Sequence, residues 1–193
     1  MYQALGDKRS MPNVIGHLGS IAAYQGDQER SARLLDEALA LYQELGNPGG
    51  ITRTRRFQGK AALQQRDWAR AHAAFQESLR LQQGVGRQWE IAACLIGLAA
   101  VADGQNQAER AAQLSGAAEA LREQMGAPVS PVDRSWYDAA ITHARAAIGD
   151  AGFAAAWAAG RAMSLEQAIT QVLDATNDRP IGGTTEDVNA VVR

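Results

Sequence analysis

Much is scarce in this chain of 193 residues: it has one cysteine, five prolines, and aromatic side chains at only 6% of positions. A lone Cys94 excludes both a disulfide framework and a cysteine metal cluster. Although 46% of the residues are hydrophobic, no apolar run approaches the ~20 residues that a membrane-spanning helix needs. The opening MYQALGDKRS lacks the apolar core of a secretory signal. Nor does charge of one sign accumulate, since 19 Lys and Arg against 21 Asp and Glu leave a net charge of -2. That balance gives no global basic footprint for nucleic acid. The expectation is a cytoplasmic protein with no direct nucleic-acid or membrane contact. What is plentiful is alanine, spaced leucine and mixed charge, a composition that favours helices packed closely on one another.

The helices repeat. The stretch HLGSIAAYQGDQERSARLLDEAL, residues 17–39, reads as one helical hairpin. Shifted by forty residues, Gly59, Asp67, Phe75, Glu77 and Leu79 fall under Gly19, Asp27, Leu35, Glu37 and Leu39. Self-similarity of this period marks a helical solenoid. In the first repeat the spacing predicts helices over about 12–25 and 28–45, with Gly26 turning the chain and Asp27 capping the second helix. The second repeat spans about 49–86 on the same plan. In the third, Gly97 follows Gly59 by 38, whereas Gly126 follows Gly86 by 40. This predicts two extra residues in the inner turn around Gly104–Gln107, between helices over about 88–102 and 107–125. Residues Tyr2, Gln3, Leu5 and Gly6 match Tyr42, Gln43, Leu45 and Gly46, the end of a repeat whose beginning is missing. An exposed solenoid end invites fraying or self-association.

After Gly126 the pattern changes. A helix is predicted over 131–148, started by Ser130 and Pro131 and stopped at Gly149, followed by another over about 150–162. Ser164 and Gln167 have capping-box spacing for a last helix ending near Asp174. The organisation is therefore repeats over 1–126, with the first truncated, capping helices over 127–176, and a disordered tail over 177–193.

These residues resemble tetratricopeptide repeats of the longer, forty-residue type: Leu-Gly in the first helix, Gly-Asp between helices, alanines and a large residue in the second. The segment AERAAQLSGAAEALREQMGAPVSPVDRSWYDAAITHARAAIGDAGFAAAWAAGRAMSLEQAI, residues 108–169, resembles the C-terminal end of large bacterial signalling regulators. Among these are LuxR-type transcriptional regulators that join an NB-ARC (STAND) ATPase core to such repeats. The resemblance implies an all-α solenoid of antiparallel helix hairpins in a right-handed superhelix with a C-terminal helical cap. It also implies a sensor or scaffold arm that receives a partner or inducer and restrains the ATPase core. The chain has no G-x-x-x-x-G-K-[ST] phosphate loop, and its tail is too short for a helix-turn-helix domain.

Chemistry-bearing residues do not converge in the sequence. His17, His72 and His143 fall on different helices without a metal-ligand spacing, and Cys94 reads as a small buried hydrophobe. No catalytic residue, cofactor or metal is expected. The functional candidate is the first helix of the second repeat, ITRTRRFQGK, which has four cations and no acid. Arg53, Arg56 and Lys60, spaced by three and four, share the face that lines the groove, with Asn13 and Ser20 in the equivalent places of the first repeat. They could grip a carboxylate or phosphate of a partner. The competing reading is a solvated charged face balanced by acids of a neighbouring repeat. The corresponding residues of the third repeat, Ile91, Cys94, Leu98 and Val101, are apolar, so helices 131–175 are expected to fold back over them through Trp136 or Trp157. The expected function is a non-catalytic protein–protein interaction module, taking a protein or peptide or other domains of its parent regulator. The alternative is a small-molecule inducer receptor with its pocket between the third repeat and the cap.

Overall fold

The computed structural model describes residues 10–82 and 87–174; the expected matches at 1–7 and the tail 177–193 lie outside them. Among the described residues there are eight helices and no strand: α1 (Met11–Tyr24), α2 (Gln28–Glu44), α3 (Pro48–Gln64), α4 (Trp68–Gln82), α5 (Gln88–Gly104), α6 (Ala108–Met125), α7 (Pro131–Arg161) and α8 (Leu165–Asp174). Helices α1/α2, α3/α4 and α5/α6 pair as hairpins, and the first helices of successive hairpins, α1, α3 and α5, also touch one another. The result is a stack of hairpins in which α1, α3 and α5 line one side.

Local chemistry fixes each hairpin. Asp27 Oδ1 accepts from Arg30 N at 3.1 Å and Asp67 Oδ1 from Arg70 N at 3.0 Å, so both aspartates cap the helix that follows. Asn47 does the same for α3 through Gly50 N at 2.9 Å. The inner turns pass through one residue of positive φ each: Gly26 (81°), Arg66 (55°) and Asn106 (58°). Those three residues are spaced forty apart, and so are Asp27, Asp67 and Gln107 behind them.

The period of forty therefore holds through the third hairpin, and the predicted two-residue insertion does not exist. The error came from treating Gly97 as the counterpart of Gly59. A Cβ on Gly59 would lie 2.9 Å from the Phe75 ring, within its own hairpin, as one on Gly19 would lie 2.8 Å from Leu35. A Cβ on Gly97 would lie 2.3 Å from the other side of the same ring, across the boundary between hairpins. Phe75 is fully buried between two glycines that serve different contacts. The true counterpart of Gly59 is Ala99.

The C-terminal helices close one end. Gly149 (φ 71°, ψ 167°) leaves helical geometry where the sequence placed a stop, so α7 is two helices meeting at a kink, as the spacing predicted. Ser130 stands at the N-cap but its side chain makes no capping hydrogen bond. The predicted capping box of α8 is formed: Ser164 N donates to Gln167 Oε1 at 2.8 Å and Gln167 N to Ser164 Oγ at 3.1 Å. The distal part of α7 approaches α6 backbone to backbone, since a Cβ on Gly160 would sit 2.0 Å from Gln113 O and one on Gly116 2.4 Å from Trp157 O. α8 returns to the second hairpin, where buried Gln76 Nε2 donates to Val172 O at 2.9 Å.

Burial is uneven along the stack. The main apolar cluster joins the second and third hairpins to α7 and α8, with Trp136 and Trp157 packed against it. Ala23, Leu35, Phe57 and Ala61 form a small separate cluster under the first hairpin.

Candidate partner-binding groove

The groove side of α3 carries the predicted cations, and the structure brings a carboxylate to them from the cap. Asp133, in the first turn of α7, pairs with Lys60 at 2.5 Å, their side chains 5% and 10% exposed. Burial, with help from the Arg56 charge, pulls the Lys60 ammonium below its usual range, and Asp133 pushes it back. Of the expected set, Lys60 and Arg56 are buried, Arg53 and Ser20 are half-buried, and Asn13 is exposed. The acid that meets Lys60 comes from the cap, not from the second helix of a neighbouring repeat.

α7 touches every hairpin. Trp136 stacks on Tyr24 of α1, ring centroids 6.4 Å apart and planes 22° from parallel. His143 Nδ1 lies 2.9 Å from Asp103 Oδ2 of α5. Tyr137 Oη donates to Glu119 Oε2 of α6 at 2.6 Å, and Glu119 also pairs with Arg122. Burial, and secondarily the Asp133 charge, raises the Tyr24 hydroxyl to about 12. Asp133 and Trp136, near the start of α7, thus cover α3 and α1 rather than the third-hairpin residues for which cover was expected.

The third-hairpin residues expected beneath that cover face elsewhere. Ile91, Cys94, Leu98 and Val101 are all buried, but Cys94 Sγ reaches Ser78 Oγ of α4 at 3.3 Å. With the period corrected, these residues correspond to Ile51, Thr54, Gln58 and Ala61, the side turned toward the preceding hairpin; Gln58 likewise donates to Asp36 of α2 at 2.8 Å. The counterparts of Arg53, Arg56 and Lys60 in α5 are Ala93, Ile96 and Ala100. Burial raises the Cys94 thiol to about 11, which keeps it protonated and a poor nucleophile.

Toward the first hairpin the groove stays cationic. The Arg56 guanidinium carbon lies 5.2 Å from the Phe57 ring centroid and 5.3 Å from that of Trp89. Arg53 donates to Tyr42 Oη at 2.6 Å. The His17 ring stands 5.3 Å from Phe57; burial first, then Arg53 and Arg56, hold its basicity below the usual value. Sequence reasoning missed Trp89, because the 38-residue register hid its place beside Arg56.

Between the third hairpin and the cap, a cleft of about 90 Å³ is bordered by Gln88, Leu121, Met163 and Ala168, below the ~300 Å³ at which ligand pockets usually start. Among the described residues no group of three or more His, Cys, Asp or Glu could hold a metal ion, and no helix is long and apolar enough to cross a membrane.

Over 104 residues, 54% of its length, the chain is 36% identical to proteins named "Putative HTH-type transcriptional regulator" in Mycobacterium bovis and in two strains of Mycobacterium tuberculosis. It spans about 11% of the length of these relatives. No family model matches the chain, and no solved structure does. The similarity ties an all-helical chain to transcriptional regulators.

Proposed function

We propose that the chain is a tetratricopeptide-type interaction arm of a cytoplasmic bacterial transcriptional regulator, non-catalytic in itself, that holds a protein segment against α1, α3 and α5. One observation carries this reading: the start of α7 already reaches into the groove. α7 lies there through the buried Asp133–Lys60 pair and the Trp136–Tyr24 stack, so the surface is shaped to hold a helix with an acid and an aromatic near one end. Forty-residue hairpins and the similarity to regulators support the same view. Sensing would follow from what occupies the groove beside α7 and how that bears on the rest of the regulator.

A photo-crosslinking residue tests it. Placed in the cell at Asn13, exposed on α1, it should yield a protein adduct, whereas at Glu37, exposed on the outer helix α2, it should not. Equal yields at both positions, or none at Asn13, would reject the groove as a partner site.

A further inference from the structure

We infer that the open part of this groove is a binding site for an acidic side chain, an aspartate or glutamate on a protein segment, gripped by Arg53 and Arg56 beside Trp89. The inference rests on the interaction-arm reading and gives its partner a chemistry.

Charge is the first argument. Arg53, Arg56 and Lys60 lie along one face of α3, and the carboxylate that enters the cluster, Asp133, pairs with Lys60. Arg53 and Arg56 make no ion pair among the described residues. Nearby Glu90 is engaged elsewhere, accepting from Gln82 Nε2 at 2.5 Å and lying 4.0 Å from Arg87. Two positive charges are left over, one of them on Arg56, which is only 6% exposed and whose Nε is buried without a hydrogen-bond partner. Burying an unpaired guanidinium is unfavourable. Its contacts with the Phe57 and Trp89 rings offset part of that cost; an incoming carboxylate would offset the rest. Either guanidinium can hold a carboxylate through two parallel N–H donors, and the second adds its charge.

Access and surroundings are the second. Trp89, 48% exposed, lies against Arg56, and exposed His17 stands against the Phe57 ring that Arg56 also meets, so aromatic rings border the guanidinium. An aromatic border suits a peptide carrying apolar residues next to its acid. A nucleic-acid backbone is disfavoured, because the chain is net negative. The groove already accepts one aspartate borne on a helix, Asp133, a few ångströms along the same face.

The test uses the whole chain and a fluorescein-labelled twelve-residue peptide in which glutamate alternates with leucine and alanine, beside its Glu→Gln counterpart. The acidic peptide should bind at least tenfold more tightly, alter Trp89 fluorescence, and lose at least tenfold in affinity on Arg53→Gln. The glutamine peptide should be indifferent to that change. Because Arg56 is buried, Arg56→Lys is the second variant: charge kept and fork lost should still weaken the acidic peptide. Equal affinity for the two peptides, no effect of either variant, or displacement by inorganic phosphate at concentrations where acetate does nothing would overturn the inference. If the Asn13 adduct forms in cells and Arg53→Gln leaves it unchanged, the acidic site falls while the interaction arm stands.

Discussion

The Lys60–Asp133 pair can be taken apart one charge at a time, and the two halves should not cost the same. Both side chains are almost wholly buried. Removing one partner of such a pair usually costs about 3–5 kcal/mol, whereas replacing both by apolar groups is close to neutral. Lys60→Met strands Asp133, but Arg56 remains close enough to Lys60 for its charge to be felt there, so part of the loss is recovered. Asp133→Asn strands Lys60 beside Arg56 with no acid between them, and should be the worse of the two. A 3 kcal/mol loss in a domain of this size corresponds to roughly 10 °C in Tm. The pH dependence separates them further. The Lys60 ammonium is already held below its usual 10.5 by burial and Arg56, and loss of Asp133 lowers it more. Between that lowered value and 10.5 the unfolded chain binds more protons than the folded one, so stability rises with pH. Urea unfolding at pH 7 and pH 9.5 should therefore show the Asp133→Asn defect shrinking and the Lys60→Met defect not, with Lys60→Met/Asp133→Leu near wild type. Single variants that each cost under about 1 kcal/mol would mean that α7 is not closed onto α3, since exposed pairs are worth no more than that.

Other perturbations follow from the packing. Gly160→Ala puts a methyl 2.0 Å from the Gln113 carbonyl oxygen, so chemical denaturation should reveal a loss of about 2 kcal/mol or more; Gly152→Ala, whose nearest foreign atom is Ile148 Cβ at 3.4 Å, should be neutral or stabilising by up to about 1 kcal/mol. Gly97→Ala collides with the Phe75 ring and should be destabilising alone but nearly silent in a Phe75→Ala background, a non-additivity that a double-mutant cycle measures. Burial, then Arg110 and Arg80, holds His72 below its ordinary 6.5, so the unfolded state takes up its proton first and stability should fall as pH drops through 6.5; His72→Gln should flatten that slope in urea titrations between pH 5 and 7.5.

Local features of the sequence were legible because they are local. Asp27 and Asp67 cap the helices that follow them, Gly149 interrupts α7, and Ser164 with Gln167 opens α8, each through contacts within four residues. Glycine proved a poor ruler for the third hairpin. It says that something comes close, not from which side, and Phe75 draws a glycine from both. That ambiguity displaced the groove face of α5 by two residues and concealed Trp89. That Arg53, Arg56 and Lys60 share one face of α3 was legible from their spacing of three and four. Their counter-charge was illegible: nothing near Asp133 in the sequence distinguishes it from an ordinary first-turn acid, and its meeting with Lys60 depends on the path of a whole helix.

That path bears on how the molecule yields under load. In an open array each hairpin feels its neighbours alone, so an end can peel away while the middle stays intact. Here the first half of α7 acts as a keel, packed on the third hairpin at Asp103 and Glu119 and reaching the first at Tyr24 and the second at Lys60. The first hairpin puts only Ala23 and Leu35 into the small apolar cluster it shares with Phe57 and Ala61 of α3, and the Trp136–Tyr24 stack adds a hold from the far end of the chain. A pull on either end is shared by all three hairpins, and whatever lifts the keel loosens them together.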